Sequence, residues 1–417
     1  MRVMLQPNNW QTTRLFQYAG VARFAYNWAL SREMESLKNG NGFISDGDLR
    51  KEFTQLKKQP EYNWLNEISN DVPKQAIKDL VQAYLRYFKL KKKSNYKPYT
   101  KKQIEHSKRT NKPLTEYDKQ GHPKYKKKRD VSKYSFYNDA IKTIVTENHI
   151  RLSALEKHGK RKRQNIKNSI KLAERGRIPL NVKYYNPRIS FDGLNWWLSV
   201  SVEVPENTTV YKAQTEGIGI DLGVKDLAIL SDNTKYKNIN KTSKVKKLEK
   251  RKRRLQRSVS RKYSKNKKGV RYQKTLNIKK AEKKLLKLNK RLTNIRYSYR
   301  DNIVEDIINR KPKFICIEDL NVSGMMKNKH LSKAIQDNGL REFRQILEYK
   351  TSKHCIPLII ADKWFPSSKL CNNCGCVKSN LKLSVRTYTC SCGYVEDRDI
   401  NAAKNLKAYG EKLVLIA

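Results

Sequence analysis

The sequence lacks any apolar run near the ~20 residues of a membrane-spanning helix, and its opening, Met1-Arg2-Val3-Met4-Leu5-Gln6-Pro7, has no signal-peptide core. Neither a span nor a secretory leader is expected. Acids are scarce, with 39 Asp and Glu against 91 Lys and Arg, a formal net charge of +52. Apolar residues make up only 38 %, low for a globular chain. A monomer this basic repels itself unless a polyanion neutralises it, and solubility alone asks for far less charge. Nucleic acid is therefore the expected partner, ahead of a merely soluble or ribosome-associated role. The cysteines are not spread as a disulfide framework. Five of the seven crowd between Cys371 and Cys392, which reads as metal binding in a reducing compartment. With 417 residues there is room for two to four domains.

Residues 1–6 alternate as a short strand ending at Pro7, and 11–37 read as helix through Leu15, Phe16, Ala19, Phe24 and Trp28. A second helix runs through Leu49, Phe53 and Leu56. A third follows Pro73 with a stripe of Ile77, Leu80, Val81, Tyr84, Leu85 and Phe88. Residues 91–135 are Lys- and Tyr-rich and weakly patterned, an exposed basic linker in which Tyr96, Tyr99, Tyr117 and Tyr125 either stack on bases or are ordinary surface aromatics. Strand character returns at 136–206, where Leu198, Val200, Val202 and Val204 alternate with Trp197, Ser199, Ser201 and Glu203. This suggests a small antiparallel barrel or sheet, completed by the N-terminal strand, with the helical part inserted.

From Glu216 the pattern changes. Gly217-Ile218-Gly219-Ile220-Asp221 and Phe314-Ile315-Cys316-Ile317-Glu318 are apolar strands closed by an acid, Leu227 to Leu230 and Pro357 to Ala361 are two more, and 340–353 reads as helix. Asp399 opens a helix that continues Ile400-Asn401-Ala402-Ala403. Carboxylates at strand ends are rigidly held and project past the sheet, and three from separate segments can converge on octahedral Mg²⁺ ions. Each acid alone is equally a turn residue or a salt-bridge partner. Between them, residues 244–300 hold 25 Lys and Arg and two acids, Glu249 and Glu282. Two helices in a hairpin about Gly269 are expected. With so few i,i+4 ion pairs available, Arg251, Arg253, Arg254 and Arg257 are expected to face phosphate. Cys371-x2-Cys374 and Cys390-x-Cys392 have the look of knuckles closing a structural Zn²⁺ site. Cys376 is a fifth candidate ligand. Cys316 reads as packing.

These motifs resemble the TnpB family of insertion-sequence proteins. The resemblance rests on Leu5-x-Pro7, Gly20-x-x-Arg23-Phe24-x-Tyr26-Asn27, Asp48-Leu49-Arg50-Lys51, Leu65-x-Glu67, GIDLGVKDLAI, CIEDLNVSGM, WFPSSKLCNNCG and YTCSCGYVEDRDINAAKNL. It is weakest over about 91–187. It implies a mixed architecture: α/β, β-barrel and helical parts. A wedge-like β-barrel domain (1–7 and 122–213) would carry an inserted helical recognition domain (8–121). A RuvC/RNase H-like domain (214–366 and 397–417) would hold a zinc-bearing target-nucleic-acid-binding insert (367–396). It further implies an RNA-guided endonuclease that binds a guide RNA from the element's end and cuts double-stranded DNA beside a short flanking motif. The nuclease would act as a monomer in the RNA complex, in the prokaryotic cytoplasm near the nucleoid. Asp221, Glu318 and Asp399 would be the catalytic acids holding two Mg²⁺, with Asp399 preferred to Asp397 for its Asp-x-Asn spacing. Lys74, Gln75, Tyr137 and Asn138 fall where the family reads the flanking motif. A compact type V CRISPR effector, a transposase proper, and a non-catalytic RNA-guided binder or transposition accessory protein are the competing readings. The intact acids argue against the last.

Overall fold

The computed structural model describes residues 1–128, 134–152, 155, 167–203, 211–269, 271–381 and 385–416, in two compact units, Met1–Val204 and Pro205–Ala417. The first unit runs β1 (Arg2–Gln6), α1 (Asn9–Lys38), α2 (Asp46–Leu56), α3 (Asp71–Lys91) and α4 (Lys101–Thr110). Then come β2 (Ser135–Tyr137), β3 (Ile144–Val145), β4 (His149–Arg151), β5 (Ser169–Leu172), β6 (Tyr184–Phe191) and β7 (Trp196–Val202). All the strands form one antiparallel sheet in the order β2-β6-β7-β1-β5-β4-β3. The N-terminal strand thus lies between β7 and β5, and the helices are inserted after it, as expected. Its edge strands β2 and β3 are not paired with each other among the described residues.

Helix α1 starts where Asn8 and Gln11 form a capping box, each side chain accepting from the other's backbone N–H. Its Leu15, Ala19, Ala22 and Leu30 join Ile77, Leu80, Tyr84 of α3 and Trp196, Leu198, Val200 of β7 in one hydrophobic core. Helices and sheet of this unit therefore share a core. In α3 the buried stripe turns toward Ala76, Leu80 and Tyr87, so Leu85 is 45 % exposed instead of packed. Residues 91–128 are basic and mostly exposed, with His122 and Pro123 buried, but not structureless. Thr100 and Gln103 form a second capping box that starts α4, a helix with no buried residue. In β7 the expected alternation holds for Leu198 and Val200, which are buried, while Val202 is half-buried; Val204 lies outside the described residues.

The second unit runs β8 (Ile218–Leu222), β9 (Asp226–Leu230), β10 (Lys235–Lys237), α5 (Ser243–Lys265), β11 (Lys267–Lys268), β12 (Arg271–Tyr272) and α6 (Leu276–Asn309). It continues β13 (Ile315–Glu318), α7 (Val322–Met325), α8 (Ser332–Asn338), α9 (Leu340–Lys353), β14 (Leu358–Ala361), β15 (Thr387–Thr389), β16 (Val395–Asp397) and α10 (Arg398–Ile416). Its main sheet has the order β10-β9-β8-β13-β14, with β9 and β10 antiparallel and β13 and β14 parallel to β8. Alternation splits the strands between two cores. Ile315 and Ile317 face Ile303, Val304 and Ile307 of α6 and Phe343 and Leu347 of α9. Phe314 and Cys316 face Leu406 of α10. The expected hairpin is present, α5 packing on α6 with Gly269 at φ +56° between β11 and β12.

Candidate functional site

Strand β13 pairs in parallel with β8, Ile315 opposite Ile218, Cys316 opposite Gly219 and Ile317 opposite Ile220. One further step along both strands sets Glu318 beside Asp221, on strands about 4.8 Å apart. Residues two apart on a strand share a face. Asp221 therefore faces the side of Gly219, and Glu318 that of Cys316, which is the side covered by α10. That helix lies so close that a Cβ at Gly219 would fall 2.0 Å from the Ala403 carbonyl oxygen, and one at Gly410 would fall 2.3 Å from the Phe314 ring. These contacts fix its direction as antiparallel to β8. Asp399, one turn before Ala403, is thereby carried toward the same rim as Asp221.

The electrostatics agree with this geometry. The Asp221 carboxyl is pushed well above the ordinary carboxylate range by burial first, then by the charges of Glu318 and Asp399, with Arg398 offsetting only part. Among the described residues none hydrogen-bonds or ion-pairs with it. Glu318 is also raised, by burial, against the pull of the Ser367 hydroxyl, which donates to Glu318 Oε1, and of Arg398. The two acids near the helix start differ in occupation. Burial raises Asp397, but Lys235 Nζ at 2.6 Å and the backbone N–H groups of Asp399 and Ile400 bring it below its usual value. That carboxylate caps the helix and closes an ion pair. Among the described residues the Asp399 carboxylate has only Arg386 Nη1, at 3.4 Å, and so is the less occupied of the two acids. An oxygen-only donor set of this kind suits hard divalent ions such as Mg²⁺. Ser367 and Arg398 were not anticipated from the sequence.

The thiols of Cys371, Cys374, Cys390 and Cys392 lie within 4.8 Å of one another, with Cys371–Cys392 at 3.7 Å and Cys374–Cys390 at 3.5 Å. Four 2.3 Å Zn–S bonds in a tetrahedron put sulfurs about 3.8 Å apart, so the cluster is placed to hold one zinc ion. Gly375 at φ +73° and Gly393 at φ +83° turn the two knuckles, and the strands β15 and β16 frame the second. The backbone N–H of Cys392 holds the Cys390 thiol down to about 6, favouring the thiolate. The Cys376 thiol stays outside the cluster, exposed; its backbone carbonyl accepts from the Cys371 N–H and its backbone N–H donates to the Cys374 thiol.

Other sequence candidates are distributed unevenly. Lys74 is exposed on α3, and Gln75 Nε2 donates to Asp79 Oδ1 at 3.0 Å. Arg188 also donates to Asp79 Oδ1, at 2.7 Å, and stands 6.0 Å from the Tyr137 ring. One ion pair thus links Gln75 to Tyr137. Asn138 departs from this group. It is buried, and its amide donates to Thr143 Oγ1 at 2.6 Å, so it ties together its own loop. Arg251, Arg253, Arg254 and Arg257 are exposed on α5. None of the four has a hydrogen bond or ion pair among the described residues.

A mixed α/β unit with acids on one rim and a four-cysteine cluster fits the class of OrfB-type proteins. Comparison bears this out. Family models match residues 199–329 ("Probable transposase", OrfB of IS605) and 341–406 ("Cas12f1-like, TNB domain"). A third model, "Helix-turn-helix domain", matches residues 1–42, which here fold as one strand and a single 30-residue helix. A "Putative RNA-guided DNA endonuclease" of Streptomyces pristinaespiralis is 30% identical over 404 residues, 97% of this chain and 87% of that protein. InsQ of Escherichia coli (strain K12), with the same description, is 25% identical over 99% of this chain and 92% of its own length. The solved mini-RNA-guided endonuclease CRISPR-Cas phi3 aligns over 98% of this chain and 92% of its own at 11% identity and a TM-score of 0.45. The chain belongs to the TnpB family.

Proposed function

We propose that this chain is an RNA-guided DNA endonuclease of a transposable element, cutting target DNA beside a short flanking motif in a RuvC-like site. The observation that carries the reading is the register of β8 and β13, which sets Glu318 beside Asp221 at the rim toward which α10 carries Asp399. In open α/β sheets, ligands gather outside the carboxyl ends of the strands, and both strand acids stand there. In this reading the second unit is the RuvC-like nuclease domain around its zinc-bearing insert, and the first unit combines the wedge-like barrel with the helical recognition part.

Asp221, Glu318 and Asp399 would hold two Mg²⁺. When bound, such ions activate a water and stabilise the leaving oxygen of a phosphodiester. The chain's own residues prepare the rim. Ser367 fixes the Glu318 carboxylate, Asp397 anchors the start of α10, and the positive end of that helix favours the Asp399 charge. Arg398 tempers the repulsion among the acids before ions arrive. The arginines of α5 would grip phosphate, and base pairing with the guide would read the target sequence. The +52 charge suits holding a structured RNA and a heteroduplex.

The test is to isolate the protein with the RNA it carries from its own locus, sequence that RNA, and offer duplex DNA matching the RNA's variable end. Mg²⁺-dependent cutting of matched but not mismatched DNA is expected. Cutting that ignores the RNA, or none in Mg²⁺ with a matched target and intact RNA, would overturn the proposal.

A further inference from the structure

We propose that a hollow beside Gly20 in the first unit holds one unpaired nucleotide of a single-stranded nucleic acid, its base on Trp64 and its phosphate on Arg23. The proposal rests on the reading of the protein as a nucleic-acid binder, and adds a site to it.

The hollow, of about 540 Å³, is bordered by Gly20, Arg23 and Phe24 of α1 and by Trp64, Glu67 and Ile68. Ligand pockets commonly span about 300–1,000 Å³. Three features of its wall have no explanation inside the protein. First, Gly20 sits in the interior of a 30-residue helix, where glycine costs about 1 kcal/mol relative to alanine. A Cβ there would meet nothing within 4 Å. Packing does not require the glycine, and what it provides is room for something to approach the helix backbone. Second, Arg23, one turn along on the same face, makes no hydrogen bond or ion pair among the described residues. The nearby acid Glu67 is already paired with Arg14, at 3.6 Å. Third, Trp64 is 44 % exposed, although large aromatic rings are normally covered. The Phe24 ring holds it T-shaped at a centroid distance of 5.4 Å.

A flat, fixed aromatic surface, a neighbouring unpaired guanidinium and a gap over the helix backbone together match one nucleotide. The base stacks on the indole, the phosphate meets Arg23, and the sugar passes over Gly20. Stacking on an aromatic side chain is tolerant of base identity, so the pocket would fix the path of a strand without reading its sequence. A base inside a duplex is stacked on both faces and has none to offer the indole, and the phosphate on Arg23 and sugar over Gly20 suit a strand passing through the gap, so the occupant is an unpaired nucleotide.

The test uses the full-length protein with two photoreactive oligonucleotides of one sequence, a 5-bromouridine RNA and a 5-bromodeoxyuridine DNA, with adducts mapped by mass spectrometry. An adduct on Trp64 is expected, and the strand that gives the stronger one identifies the source. Gly20→Leu should fill the gap and weaken oligonucleotide binding about tenfold, while the melting temperature holds or rises, because leucine is the better helix former. Arg23→Gln should lower the salt dependence of binding by about one phosphate contact. If Gly20→Leu lowers the melting temperature and leaves affinity unchanged, the glycine serves the fold and the pocket is wrong. Normal affinity with adducts only elsewhere overturns the pocket and leaves the nucleic-acid reading standing. Failure of the wild-type protein to bind either oligonucleotide, or its own RNA, overturns both.

Discussion

The thiol cluster and the acid rim both crowd like-charged donors into one place, and they differ in what else holds them there. The four cysteines span only Cys371 to Cys392, on two short knuckles whose hydrophobic support is Leu381, Tyr388 and a few half-buried neighbours. So small a module buries too little to stand alone, and an ion in its centre would supply most of its folding energy. The acids come from β8, β13 and α10, elements packed into two hydrophobic cores that owe nothing to a metal. The fold positions them at its own expense, burying Asp221 among negative charges. A metal would be part of the architecture in one place and a guest in the other.

The largest expected effect breaks the first half of that contrast. Structural zinc in small modules contributes about 10–16 kcal/mol of apparent binding energy near neutral pH. Chelation, or Cys371→Ser, should release one zinc per chain and expose the amides of β15 and β16 to hydrogen exchange, with the first unit's melting unchanged. Protein purified without zinc, or strands that stay protected after chelation, would show that the knuckles fold on their own.

Next in size is the acid rim. Asp221→Ala should lower DNA cleavage by at least about a thousandfold, on the order of 4 kcal/mol of transition-state stabilisation. RNA affinity and zinc content should stay at wild-type levels. Asp221→Asn should make the metal-free protein more stable by removing one of the facing charges. Cleavage by the alanine variant at the wild-type rate would remove the site, and an asparagine variant less stable than wild type would show that the repulsion is already compensated.

The contrast also shows what was readable beforehand. Asp221 and Glu318 stood out because each closes an apolar run, a pattern visible within a few residues. Their meeting with Asp399 depends on strand register and on the direction of α10, both long-range properties. Ser367 and Arg398 lie inside the motifs WFPSSKLCNNCG and YTCSCGYVEDRDINAAKNL, but nothing in the sequence gave either a role: one is a serine in a loop, the other one of 91 basic residues. Spacing alone left Cys376 open as a ligand, and only the turns at Gly375 and Gly393 decide which sulfurs converge. In the first unit, α4 was missed because its only local cue is the Thr100–Gln103 box, with no apolar stripe behind it. Asn138 is grouped with the flanking-motif residues by the family resemblance alone, and its burial against Thr143 is a loop property that no sequence pattern reports.

Glu33 carries the same question into the first unit's core, where no ion is at hand. Its side chain is fully buried, Oε1 has no hydrogen-bond partner among the described residues, and only the Ile44 N–H serves Oε2. Burial lifts its carboxyl to about 7, so here a proton neutralises the buried acid, as a metal would at the rim. Because the folded value lies above the unfolded one of about 4.3, the native state binds the proton more tightly, and stability falls as pH rises between the two. The loss is complete about one pH unit above 7 and amounts to at most about 4 kcal/mol. Glu33→Gln should flatten this dependence and stabilise the protein at pH 8, as followed by urea unfolding of the first unit. A variant with the wild-type slope between pH 5 and 7 would place the titration elsewhere.

The smallest effect separates cations the protein pairs from those it leaves open. Arg296 lies 3.0 Å from both Glu249 and Asp337, tying α6 to α5 and α8. Arg251, on α5, has no such partner among the described residues. Arg251→Gln should therefore leave stability within about 0.5 kcal/mol and lower the log–log salt slope of nucleic-acid binding by about 0.9, the share of one phosphate contact. Arg296→Gln should do the reverse, leaving Glu249 and Asp337 without their shared cation and destabilising the hairpin's base while the slope stays put. Both variants are read by the same two measurements, a salt titration of affinity and a denaturant curve. Equal slopes for wild type and Arg251→Gln would mean that the open face of α5 meets solvent instead of phosphate, and that its charge serves only the long-range field of the protein.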